Sequence, residues 1–139
     1  ACITMAPHVM VEDMSIQAIQ LAREAFEKGS LPERLQPFHA DVDCAFWQWN
    51  DIWLSPAFRP FDIRSICHAI TDPVLALQGR QDAYGTLQQI NDIQTQGRIE
   101  RVVIEDCGHT PHRDQPAKAL EAVVNFLASC AAPGPTQGV

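Results

Sequence analysis

The sequence predicts an α/β fold, with three parallel strands, flanking helices and one all-helical insertion. Two observations lead there. From about residue 72, short apolar runs alternate with helical segments: "PVLALQG", "GTLQQINDIQTQ", "ERVVIED", then "QPAKALEAVVNFLASC". A strand, helix, strand, helix order implies parallel pairing through right-handed crossovers. Before that, an apolar start, "CITMA", passes into a long stretch whose apolar residues recur only at helical spacing.

Taken in order, residues 1–11 are expected to form a core strand and residues 12–71 the helical insertion. Its first helix, Glu12 to Lys28, carries Met14, Ile16, Ile19, Leu21, Ala22 and Phe26, with "GS" as its stop. A second, short helix is expected from Leu31 to about His39, with Pro32 in the first turn. Phe46, Trp47, Trp49, Ile52, Trp53 and Leu54 wrap most of a third, which Pro56 ends. "FDIRSICHAI" reads as one more short helix. Residues 72–131 are the expected α/β core. Its first strand lies between Pro73 and Gly79, and its closing helix should bury Leu120, Val123, Val124 and Leu127. Residues 132–139 read as a flexible tail.

Composition narrows the function. At 139 residues with 46% hydrophobic content, the chain can bury the core of one ordinary domain. A net charge of -7 repels a phosphate backbone, so nucleic acid is not an expected partner. The apolar runs fall well short of the roughly 20 residues a membrane helix needs, and no basic, apolar leader precedes them. A soluble, cytoplasmic protein with no membrane association is expected. The five cysteines are odd in number and lack CxxC spacing, which suits reduced, largely buried thiols better than a disulfide framework. The chain also opens inside an apolar strand without a cap or turn, as the back part of something longer would.

Two polar clusters follow the last two strands, "GRQDAYGT" and "DCGHTPHRD". In open α/β sheets, residues just past the carboxyl ends of strands face the crevice where ligands bind. Asp82 and His109 would therefore lie on adjacent strand ends. An Asp that accepts the Nδ1 proton of a histidine fixes its tautomer and stabilises the imidazolium. Asp82 could equally be a turn residue bonding its own backbone, and His109 a plain loop histidine.

Here the sequence resembles the α/β-hydrolase family. "PVLALQGRQDAYGT" is similar to the strand and loop carrying that family's triad acid, and "CGHTPHRDQP" to its histidine loop. "MAPHV" is similar to the strand that leads to the family's helical cap. The resemblance extends to about Cys130 and corresponds to the C-terminal half of the family's fold. It implies a partial α/β-hydrolase, with Asp82 as triad acid, His109 as general base and no cofactor. It also implies hydrolysis of a small ester, amide, lactone or related carbonyl substrate. The G-x-S-x-G elbow that carries the nucleophile is not in these residues. This chain alone should then be inactive, and its expected partner is a missing N-terminal half or a second copy of itself. The alternative is a non-catalytic half-domain that binds an apolar ligand or a partner protein.

Other residues carry weaker signals. His8, at the end of the first strand, and His112 could line a substrate pocket, and so could Trp47, Trp49 and Trp53 of the insertion. Cys107, His109, His112 and Asp114 are metal-ligating types. Their spacing lacks a second ligand pair, and Pro111 tightens the loop, so no metal site is assigned.

Overall fold

The computed structural model describes residues 1–131, so the expected tail lies outside the described residues. The chain forms two units: Ala1–Val9 together with Ile63 onward, and Met10–Asp62. The insertion closes at Asp62, earlier than the expected Thr71, because Ile63, Cys67 and Ile70 pack into the core of the sheet.

In the first unit, β1 (Cys2–Met5), β2 (Val74–Gly79) and β3 (Ile99–Ile104) form a parallel sheet in the order β1-β2-β3. All six residues of β2 are buried. A parallel strand covered on both faces needs the continuous apolar run that "VLAL" supplies. On one face, Leu75, Leu77, Ile104 and Cys107 meet Ala119 and Phe126 of the closing helix. On the other, Ala76 packs with Val9, Cys67, Ile90 and Ile93. Met5 lies beside Leu77, and Gly79 beside Ile104, so the strands release their loops at one edge of the sheet.

Four elements differ from expectation. The segment after β2 is helical only over Gln88–Asn91; the neighbouring short helix before β2 is Arg64–Cys67. The Arg101 guanidinium takes the carbonyls of Ile90 and Ile93, and Ile70 O takes the amides of Gln96 and Gly97, drawing the chain out of the helix. A one-turn helix, Pro111–Asp114, appears within the histidine loop, with Pro111 at its start. The closing helix, Pro116–Ala131, buries Ala119 and Phe126 and half-buries Ala122 and Val123. Leu120, Val124 and Leu127, expected inside, are instead 64%, 54% and 46% exposed. The helix has more apolar surface than this sheet covers.

The second unit packs α1 (Asp13–Lys28), α2 (Leu31–Leu35) and α3 (Val42–Leu54). With these, the later helices in chain order are α4 (Arg64–Cys67), α5 (Gln88–Asn91), α6 (Pro111–Asp114) and α7 (Pro116–Ala131). Asp41 caps α3 by accepting from the Cys44 amide at 2.8 Å. Phe26 stacks on Phe46 at 3.9 Å, with Trp47 edge-on to both. The buried Asn50 amide donates to the Ile19 carbonyl, tying α3 to α1. The ends of the unit meet where Met10 bridges Asp62 and the Val11 amide reaches Phe61 O. No described helix is long and apolar enough to cross a membrane.

Candidate active site

Asp82 lies three residues past β2, in a loop held from several directions. Its side chain is 1% exposed. One oxygen, Oδ1, accepts from the Tyr84 amide at 2.8 Å, and the other, Oδ2, from the Gln78 side-chain amide at 2.6 Å. His109 Nδ1 stands 3.0 and 2.9 Å from the two oxygens. The turn contact and the histidine contact therefore coexist, because the Asx turn to Tyr84 aims the carboxylate at the ring. A carboxylate only accepts, so Nδ1 carries the proton and Nε2 is left as a lone-pair acceptor. The His109 side chain is 35% exposed.

The loop that carries His109 is fixed just as closely. It leaves β3 through Asp106, which sits in the left-handed region at φ 55. Asp tolerates that conformation better than most residues. The Cys107 amide donates to Gln81 Oε1, and the Gln81 amide donates to Cys107 O, both at 2.9 Å. That pair joins the acid loop to the histidine loop. Gly79 permits the approach, since a Cβ there would lie 2.1 Å from Gly108 O and 2.3 Å from Cys107 O. Asp114 brackets His109 from the far side, accepting from the Gly108 amide at 2.9 Å and the Thr110 hydroxyl at 3.0 Å. The Gly108 bond, more than any other contact, holds the Asp114 carboxyl below its ordinary range. Burial pushes the Tyr84 hydroxyl and the Cys107 thiol up; the Asp82 charge adds to both, and for the thiol the Asp114 charge adds more.

Around the ring, Tyr84 lies 4.9 Å and His8 5.6 Å from His109, centroid to centroid. The structure thus gathers Asp82, His109 and His8. His112 is exposed on α6. Trp47, Trp49 and Trp53 are half-buried among the rings of the helical unit, Trp53 against Phe58 and Phe61. Among the described residues, Cys107, His109, His112 and Asp114 do not gather as a ligand cluster; Asp114 instead braces the loop.

Sequence reasoning missed three glutamines. Gln89 Oε1 accepts from the Val9 amide past β1, Gln78 holds the loop past β2, and Gln81 holds the loop past β3. Only Gln78 left a trace, as the one polar side chain in the run "VLALQG".

No protein-family model matches the chain, and no curated protein aligns with it. Solved structures do match. NosK of Streptomyces actuosus shares 18% identity at a TM-score of 0.66, over 91% of this chain and 57% of its own. An esterase of Pyrococcus furiosus shares 18% at 0.60, over 92% and 44%. MGS-M2, an α/β hydrolase from a deep-sea metagenome library, shares 14% at 0.58, over 98% and 58%. The fold is that of the α/β-hydrolases. The chain spans about half the length of each of these structures.

Proposed function

We propose that this chain supplies the acid and general base of a serine-type α/β-hydrolase acting on a small ester, amide, lactone or related carbonyl compound. The hydrogen bond from His109 Nδ1 to the buried Asp82 carboxylate carries the reading, because it lies at adjacent strand ends of an α/β-hydrolase sheet. His109 Nε2 accepts the proton of the nucleophile as it attacks the carbonyl and returns it to the leaving group. It then activates water to release the acyl group. Asp82 holds the ring in the required tautomer and offsets the imidazolium charge.

The nucleophile lies outside these residues, on the polypeptide that completes the fold. Two surfaces suit such a partner. β1 pairs with β2 alone among the described strands, leaving an open edge, and α7 presents the stripe Leu120, Val124 and Leu127. The helical unit corresponds to the family's cap, and His8, whose ring stands 5.6 Å from that of His109, lines the pocket on the sheet side. The compartment is the cytoplasm, which suits five free cysteines.

The test is native mass spectrometry of the purified protein, followed by a p-nitrophenyl ester assay on each species found. An assembly completed by a nucleophile-bearing chain should turn over, and Asp82→Asn or His109→Ala should cut kcat by roughly three to four orders of magnitude. Ordinary turnover by a lone monomer would overturn the assignment of the nucleophile. Unchanged turnover in both variants would overturn the roles of Asp82 and His109.

A further inference from the structure

We propose that Gln78 is a positioning residue for the Asp82–His109 pair, its buried amide fixing the carboxylate and, through it, the protonated nitrogen of the ring. The inference deepens the proposed function and rests on it for its catalytic meaning.

Gln78 is the penultimate residue of β2 and 1% exposed. Alternation along the strand puts it on the face of Ala76, opposite Leu75 and Leu77. An apolar residue is the ordinary occupant of such a site. The amide here has specific work instead. Nε2 donates to Asp82 Oδ2 at 2.6 Å and to the Gly85 carbonyl at 3.2 Å, bridging the two ends of the loop Asp82–Gly85. Its Oε1 is buried and meets no protein donor among the described residues. An unpaired buried acceptor is a cost that an apolar side chain of the same shape would not carry. The amide's return is a fixed carboxylate. The terminal torsion of an Asp is broad. With only the Tyr84 amide on Oδ1, the group could pivot and lose its alignment with Nδ1. A second donor on Oδ2 pins both oxygens toward the ring.

The same donor also shuts the loop. Gly85 is buried, and a Cβ on it would approach Gln89 Cγ at 3.0 Å and Gln78 Nε2 at 3.7 Å, so the turn is packed directly on the amide. One side chain therefore sets both the rotamer of the acid and the path of the backbone that carries it.

The experiment reads the tautomer of neutral His109 in the full chain by long-range proton–nitrogen NMR, comparing wild type with Gln78→Met. Wild type should show the Nδ1–H form alone, and Gln78→Met a mixture containing the Nε2–H form. A folded Gln78→Met with the wild-type tautomer would overturn the proposal. Should that variant not fold, exchange of the Gln78 side-chain protons in wild type decides. It should be at least about tenfold slower than that of exposed Gln20, and faster in Asp82→Asn. Exchange as fast as Gln20 would refute the bond. None of these readouts involves a substrate, so failure of ester hydrolysis would count against the proposed function and leave this result standing.

Discussion

The strand ends of the sheet and the helical unit are held together by different physics. In the helical unit, α1 and α3 meet mainly through stacked and edge-on rings, Phe26, Phe46 and Trp47, supplemented by the buried Asn50 bond and an exposed Arg23–Asp51 ion pair. Ring packing is strong and tolerant of small shifts. At the strand ends, glutamine amides, backbone groups and two carboxylates fix three loops by single bonds of 2.6 to 3.0 Å. Such bonds are directional, and each contributes modestly. Bulk apolar contact gives stability, whereas placing a nitrogen to within a few tenths of an ångström takes aimed donors.

That contrast can be broken most severely at Gly79. A methyl group there would overlap the carbonyl oxygens of Cys107 and Gly108 and the Cys107 carbonyl carbon, all backbone. Gly79→Ala should cost about 3 kcal/mol or more and separate the acid loop from the histidine loop. Urea unfolding and the loss of the His109 Nδ1 proton signal would measure both. A wild-type midpoint would mean that the loops are not locked by this contact.

Phe46→Ala sharpens the contrast from the other side. Removing a buried, stacked ring should cost about 3 to 5 kcal/mol. In the fraction that stays folded, the His109 resonances should not move. If they do, the two kinds of scaffold are not independent.

A smaller effect concerns pH. Asp114 has a folded-state pKa below its ordinary value, chiefly through the Gly108 amide. A depressed carboxyl pKa contributes stability that is fully present above the unfolded-state value and is lost as pH falls through the folded one. The brace should therefore hold through neutral and mildly acid pH and release only below the ordinary Asp range. Because Asp114 is exposed, the change in overall stability should be slight. The Gly108 amide shift, followed by NMR against pH, should titrate with a midpoint below that of a free Asp, and Asp114→Asn should abolish the transition.

Much of this was legible in the sequence. "VLALQG" announces a strand buried on both faces because a near-continuous apolar run suits such a site, and the contact of Asp82 with His109 was foreseeable because each belongs to a polar cluster that follows a strand. The glutamine contacts were not. Their spacing carries no periodic signal, and their partners lie 4, 26 and 80 positions away. The Leu120, Val124 and Leu127 stripe misled for a different reason. Apolar periodicity marks a face that wants cover without saying whether this chain provides it. The length of α5 was lost to Arg101, a cap arriving from the next strand that no local propensity encodes.

The neck of the helical unit has an evolutionary reading. Ile63 donates its amide to Val9 O at 2.8 Å, so the chain leaves the sheet unit and re-enters it at adjacent points. An excursion whose ends already touch is a cassette. It can lengthen, shrink or be exchanged for another without re-registering a single strand or disturbing a glutamine beneath the acid. Such an excursion can then diversify freely while the hydrogen-bonded pair of Asp82 and His109 stays as it is.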